Sequence, residues 1–152
     1  IHSPGRIAEN VADHLRPVFE KKKSTLKGKY EKGKCLLEPD LFRSLTVNLI
    51  DNASKAAGEG GHIWMAVRMT DEGCVLCVED DGPGIPEEAR EHLTEAFYRV
   101  DKSRSRKQGG AGLGLTLCAE IVNLHGGNLV FKKRRGGGTR VIAELRGGRY
   151  EK

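Results

Sequence analysis

The chain has 152 residues, enough for one domain with a real core. Hydrophobic residues make up 38% and charged residues 31%, which is ordinary for a soluble globular domain. No apolar run approaches transmembrane length and no signal peptide is visible, while a net charge of +5 leaves nucleic acid, membrane surfaces and phosphorylated ligands open as partners.

The chain opens abruptly at Ile1-His2-Ser3-Pro4, as a piece cut from something longer would. Ser3-Pro4 predicts an N-cap followed by proline in the first helical turn. Ile7, Val11, Leu15, Val18 and Phe19 then recur at helical spacing, with Pro17 expected to kink or loosen the helix and Lys21-Lys22-Lys23 as its solvated end. Thr25 to Tyr30 and Lys34 to Leu37 read as two short strands of a hairpin around Glu31-Lys32-Gly33. Gly28 to Cys35 matches the spacing of a phosphate loop. However, Cys35 stands where such a loop needs Ser or Thr, and no amphipathic helix follows.

Pro39 begins a second helix running to about Ala57 before Gly58, with Leu41, Leu45, Leu49, Ala53 and Ala56 on one face and Asn48, Asn52 and Lys55 beside it. His62 to Met69 alternates strictly, and Asp71-Glu72-Gly73 turns it into a second strand, Val75 to Asp80. On that strand Leu76, Val78 and Asp80 share one face and Val75, Cys77 and Glu79 the other. Glu79 marks the wetter side, so the Asp80 carboxylate points inward, where a charge needs a partner. Gly82 and Gly84 follow at once and allow close backbone approach. An acid aimed into a cavity floored by bare backbone suits a flat hydrogen-bond donor such as a nucleobase amine, although Asp-Gly and Pro-Gly are also ordinary turn pairs.

A short helix is expected after Pro86, with Ala89, Leu93 and Phe97 in register. Tyr98 to Gly110 has no periodicity, five cations and one acid. From Ala111 a helix places Leu113, Leu117, Cys118, Ile121 and Val122 on one face and stops at Gly126-Gly127. Asn128 to Lys132 and Thr139 to Leu145 read as strands joined by the turn Arg134 to Gly138, and the tail from Gly147 is expected to fray. Cys74 and Cys77 form a CxxC, but residues three apart on a strand face opposite sides and cannot pinch one metal. All four cysteines, at 35, 74, 77 and 118, read as small buried hydrophobes in a reducing cytoplasm.

Three signals stand in order and share a use for a magnesium nucleotide. An Asn52 amide oxygen can ligate Mg²⁺, and Lys55 one turn on can neutralise phosphate. Asp80 can accept from an adenine amine. Gly110, Gly112 and Gly114 expose backbone N–H groups at a helix N-terminus, a ready anion site, and the basic stretch before them can close over phosphates. Each piece alone has a plainer reading, as solvated face, turn or core; the three together in this order do not.

Those residues resemble the ATP-binding catalytic domain of two-component sensor histidine kinases, in the superfamily of gyrase, Hsp90, histidine kinase and MutL. Asn48 to Lys55 resembles its N box, Asp80 to Ile85 its G1 box, Phe97 to Asp101 its F box and Gly110 to Leu115 its G2 box; Leu124-His125-Gly126-Gly127 and Gly138-Thr139 also match. The resemblance covers nearly the whole chain, as one domain. It implies the Bergerat fold: an α+β two-layer sandwich, its mixed, mainly antiparallel sheet carrying helices on one face. It also implies residue roles. Asn52 would bind Mg²⁺, with Asn48 near the phosphates. Lys55 and Arg99 would contact phosphates, joined by Lys102. Gly82, Gly84 and Ile85 would shape the base pocket and Tyr98 would border it. Gly110, Ala111, Gly112, Leu113, Gly114 and Leu115 would hold the phosphates. The position after Lys55, often aromatic in the family, is Ala56.

The superfamily's ATPases usually carry a Glu general base one turn before the magnesium-binding Asn; here that residue is Asn48, which favours a histidine kinase. None of His2, His14, His62, His92 and His125 sits in an acid-Arg-Thr-Pro pattern, so the phosphoacceptor histidine and the dimerising helices are expected upstream, on the parent kinase. The resemblance thus implies ATP and Mg²⁺ as cofactors and, as partners, that phosphoacceptor domain and a response regulator. It implies no nucleic acid, no direct membrane contact, a monomeric isolated domain inactive alone, and a cytoplasmic location within a membrane-anchored parent. Two other classes are an ATPase module for conformational switching and, less favoured, a basic nucleic-acid-binding domain.

Overall fold

The computed structural model describes residues 1–83 and 111–147. Three helices and five strands follow in the order α1 (Pro4–Lys21), β1 (Thr25–Tyr30), α2 (Pro39–Ala57), β2 (His62–Met69), β3 (Cys74–Asp80), α3 (Ala111–Leu124), β4 (Asn128–Lys133) and β5 (Thr139–Leu145). The short helix expected after Pro86 lies outside the described residues. The strands form one sheet in the order β1-β2-β3-β5-β4. Only the β1–β2 pairing is parallel; the other three are antiparallel.

The local reasons are those of the sequence. Ser3 caps α1, its Oγ accepting from the Arg6 N–H at 3.4 Å, with Pro4 in the first turn. Glu38 caps α2 through the Asp40 N–H, and Pro39 opens it. The β2–β3 hairpin pairs Met69 with Cys74 next to its turn and Ile63 with Asp80 at its far end. One hydrophobic core joins the helices to the inward sheet face: Phe42, Leu45, Leu49 and Ile50 of α2, Ile63 and Val67 of β2, Leu76 and Val78 of β3, Cys118, Ile121 and Val122 of α3. The result is the expected two-layer α+β arrangement with helices on one face of a mixed sheet.

Several expectations differ from what is seen. Thr25–Tyr30 is a strand, but Lys34 to Leu37 is not its hairpin partner. β1 instead lies parallel to β2, Leu26 opposite Ile63, and the α2 crossover makes that possible. Cys35 makes only an isolated bridge to His2, through two backbone bonds of 3.0 Å. Leu26 buries its side chain in the shared core only by joining the sheet, which a local hairpin could not offer. α1 runs on through Pro17 to Lys21 as a helix. Its buried stripe is Ala8, Val11, Ala12 and Phe19, and Val18 is 45% exposed because Phe19, one residue on, takes the core position. In α3, Leu117 is 39% exposed while its neighbour Cys118 is buried. Ala56, expected on the apolar face of α2, is exposed. Cys35, Cys74 and Cys118 are buried free thiols as expected, with burial pushing Cys118 up to about 12; Cys77 is only half-buried, on the opposite sheet face from Cys74.

His125 ties the two layers together at one end. It is 8% exposed, its Nδ1 lies 2.7 Å from the Ile121 carbonyl, and its Nε2 accepts the Glu38 N–H at 3.1 Å. This bonding assigns the proton to Nδ1 and links the end of α3 to the cap of α2. Gly126 then takes a φ of +68°, and a Cβ at Gly127 would stand 1.6 Å from the Glu144 carbonyl oxygen, so the chain turns into β4 only with both glycines. His125→Ala leaves the Glu38 N–H without its partner. It is expected to lower stability by about 1–3 kcal/mol, read as a fall in Tm. An unchanged Tm would show that the link contributes nothing.

Candidate functional site

β3 is the middle strand of five, and its period-2 alternation brings Asp80 to the inward face at the strand's end. The carboxylate is 4% exposed. Its Oδ1 accepts the Gly82 N–H at 2.9 Å. Burial pushes its pKa above the usual carboxylate range, and the backbone N–H groups of Gly82 and Thr139 pull against that. Both approaches depend on a glycine, Gly82 itself in one case and Gly138 just before Thr139 in the other. A Cβ on Gly82 would lie 2.4 Å from the Ala56 carbonyl oxygen, and one on Gly138 would lie 1.8 Å from the Asp80 carbonyl oxygen. Gly138 also holds a φ of +106°, which L side chains rarely adopt.

Asp80 opens into a cavity of about 90 Å³ between α2, α3 and the sheet, lined also by Leu49, Asn52, Ala53, Leu115 and Thr139. Phe131 and Val141 of the sheet line it as well. Asn52 projects into it from α2, and its Nδ2 is buried with no hydrogen-bond partner among the described residues. A buried amide donor without a partner is costly and points to a polar group that arrives from outside the described residues. One turn earlier, Asn48 Nδ2 donates to the Ser44 carbonyl at 2.8 Å. A Cβ on Gly114 would stand 3.2 Å from Asn48 Oδ1, so α2 and the start of α3 are in close contact here. Lys55 lies on the exposed side of α2, its Nζ 3.1 Å from Asp51.

Next to Asp80, Asp81 faces the opposite way. It accepts the His62 N–H at 2.9 Å, and its other oxygen lies 2.8 Å from the His62 ring. These bonds hold its carboxyl below the usual range and fasten the chain as it leaves β3.

The structure therefore brings Asn52, Asp80 and Leu115 to one cavity, with Gly82 at its edge and Asn48 against Gly114. Ala111, Gly112 and Leu113 form the first residues of α3. Gly84, Ile85, Tyr98, Arg99, Lys102 and Gly110 lie outside the described residues, as does the basic stretch expected to close over phosphates. Sequence reasoning missed Leu49 and Ala53 as wall residues, having taken them as core, and missed Phe131 and Val141 altogether. The only signal for the latter pair was alternation in β4 and β5, which cannot say that the two strands end at Asp80. Among the described residues no cluster of three His, Cys, Asp or Glu side chains could hold a metal.

The raised pKa of Asp80 has a defined consequence for stability. A carboxyl whose folded pKa exceeds its unfolded value contributes stability below the unfolded pKa and loses it as pH rises through the folded pKa. Raising the pH above the unfolded value therefore takes stability from the fold at Asp80. Asp80→Asn, which can still accept from Gly82, is expected to melt at the same or a higher temperature than the parent at pH 7. The difference should shrink towards about pH 4, near the ordinary aspartate value. A variant markedly less stable at pH 7 would overturn this account of the carboxylate.

A family model described as histidine kinase-, DNA gyrase B-, and HSP90-like ATPase matches residues 38–149. The sensor histidine kinase WalK of Bacillus subtilis is 39% identical over 111 residues, 72% of this chain and 18% of that protein. The histidine-protein kinase ArlS of Staphylococcus aureus (strain USA300) is 40% identical over 103 residues, 68% of this chain and 23% of that protein. The chain thus spans about a fifth of the length of these relatives. Among solved structures, the nucleotide-free catalytic domain of histidine kinase ThkA superposes with a TM-score of 0.82 at 23% identity, covering 93% of this chain and 91% of that one. ThkA in complex with the response regulator protein TrrA also matches, with a TM-score of 0.76 at 21% identity, over 93% of this chain and 40% of that one. The fold, the family model and the two kinase relatives agree: the chain belongs to the family of histidine kinase-, DNA gyrase B- and HSP90-like ATPases.

Proposed function

We propose that this domain binds Mg-ATP in the cleft between α2, β3 and α3. There it serves as phosphoryl donor to a histidine on the dimerisation domain of a sensor kinase, from which a response regulator aspartate takes the group. The observation that carries the reading is the buried Asp80 carboxylate facing one small cavity together with the unpartnered Asn52 amide. An exocyclic amine is the complement of Asp80: a neutral donor that satisfies a carboxylate without needing a counter-charge. Gly82 lets the base approach the backbone beside it.

The Asn52 side chain suits a hard cation through its amide oxygen, and among the described residues no group of three His, Cys, Asp or Glu side chains would cage one. Bound Mg²⁺ would supply neutralisation of phosphate charge. Lys55 needs only to leave its exposed pairing with Asp51 to add a second positive charge. The N-terminus of α3, a helix of 14 residues, offers backbone N–H groups to the phosphates. Arg99, Lys102, Tyr98, Gly84, Ile85 and Gly110 complete the site in the roles that the family resemblance implies.

Asn48 favours transfer to a histidine over hydrolysis. Its Nδ2 is committed to the Ser44 carbonyl, and an amide cannot take up a proton as a carboxylate base does. Water would go unactivated, whereas an imidazole nitrogen attacks the γ-phosphorus with its own lone pair while the ADP oxygen leaves with the bonding electrons. The domain's part is then positioning and charge compensation. The relationship to WalK and ArlS supports the histidine as acceptor, and the ThkA–TrrA complex supports a response regulator downstream.

Two measurements test this. In calorimetric titration with Mg-ATP, Asp80→Asn should weaken binding by at least about 1–3 kcal/mol while the variant stays folded. Unchanged affinity would overturn the role of Asp80. With labelled ATP, the 152-residue chain should incorporate almost no phosphate by itself, and histidine-bearing helices of a cognate kinase added in trans should become labelled. Steady release of inorganic phosphate by the chain alone would favour a conformational ATPase instead.

A further inference from the structure

The sheet has a second face that the described helices leave uncovered. The strand register lays it out in rows. One row runs Lys27, Trp64, Glu79, Arg140, Lys132 across the five strands, and the next runs Lys29, Ala66, Cys77, Ile142, Val130. A third begins at Arg68 and continues through Val75 and Glu144. The middle row is apolar from Ala66 to Val130, and Val130 is 39% exposed.

A hollow of about 170 Å³ lies on this face, lined by Lys27, Lys29, Trp64, Ala66, Cys77 and Glu79. Trp64 is its wall, and the Arg134 guanidinium sits 4.0 Å over the Trp64 ring, with the His62 ring alongside. The carboxylates of the face are already engaged: Glu79 with Arg140 at 3.8 Å, Asp81 with His62, and Glu144 with Arg146. Among the described residues Lys27, Lys29, Arg68 and Lys132 enter no ion pair.

From this geometry we infer that the open sheet face docks an acidic protein segment, which inserts one large apolar side chain into the hollow beside Trp64 and sets carboxylates against Lys27, Lys29 and Lys132. An apolar centre inside a charged rim is the anatomy of a protein interface. The surplus of unpaired cations selects an acidic partner and disfavours a second copy of this chain, whose face would bring the same charge. Nucleic acid would use the aromatic ring as a stacking platform, but Arg134 already occupies the face of Trp64. A lipid surface would be met by a protruding apolar tip, whereas here the apolar row lies at the level of the strands and the hollow is concave. No residue that lines the hollow also lines the cleft around Asp80, which opens on the other face.

The chain holds a single tryptophan, so its fluorescence reports on this hollow alone. The probe is a synthetic amphipathic helix with a leucine stripe flanked by glutamates, compared with a permuted peptide of equal composition and no stripe. The striped peptide should shift Trp64 emission, protect Cys77 from alkylation, and weaken as ionic strength rises from about 0.01 M to about 1 M. Lys27→Glu with Lys29→Glu should weaken it about tenfold. Ala66→Leu, which fills the hollow without altering charge, should weaken it by a similar factor, with Mg-ATP affinity of both variants serving as the check that the fold is intact. Equal binding of the permuted peptide, or no loss in Ala66→Leu, would overturn the inference by reducing it to net charge. A single-stranded oligonucleotide or phosphatidylserine vesicles perturbing Trp64 and protecting Cys77 more strongly than the peptide would overturn it in favour of those ligands.

Discussion

A carboxylate 4% exposed, at the end of the sheet's middle strand, is the constraint on which the site depends. Burying such a charge is tolerated only where donors are in place and where a ligand can add another. β3 carries it because it pairs on both sides, with β2 and β5, and so holds its backbone in one register. Two glycines let the backbone close in around it. Gly82 brings its N–H to Oδ1 while passing against Ala56 of α2, and Gly138 brings the β4–β5 turn against the Asp80 carbonyl. The cost in folding stability is the kind that a binding site carries and a structural turn would have no reason to keep.

The helices serve that carboxylate by framing it. α2 presents Asn52 to the cavity with Asn48 one turn before it, and α3 begins against Asn48 with only a glycine between. At the far end, His125 fastens the close of α3 to the cap of α2. α3 is therefore held to α2 at both of its own ends, to the middle of α2 at Gly114 and to its cap at His125. A buried histidine far from the cavity thus helps to set how α2 and α3 sit against each other.

The sheet divides the protein's chemistry between its faces. The inward face is apolar and makes the core and the cleft around Asp80. The outward face is amphipathic, with its cations in excess and its aromatic residue already covered. An antiparallel sheet can leave one face to solvent, but solvent alone does not ask for an apolar row across Ala66, Cys77 and Ile142, or for a hollow at its centre.

Much of the fold was legible in the sequence because its signals are local. Proline opened both α1 and α2, after a capping serine in α1, alternation marked β2 and β3, and glycines closed α3 and the last hairpin. The inward aim of Asp80 followed from parity on β3 alone. What stayed hidden was non-local. The partner of β1 is set by which strand lets Leu26 reach the core, and it lies beyond a 19-residue helix rather than across the nearest turn. Val18 and Leu117 face solvent although helical spacing puts them near the apolar stripe, since a stripe's edge is decided by what packs against it. Phe131 and Val141 reach the cavity only because strands distant in sequence end side by side there. The sequence by itself determined where α1, α2, α3 and the five strands lie and that an amide, an acid and a glycine-led helix follow in order, because backbone periodicity and capping act within a few residues. Only the tertiary structure decided that Asn52 and Asp80 face one cavity and that Asn48 closes on Gly114, because those approaches depend on how α2 and α3 cross the sheet, which no local pattern encodes.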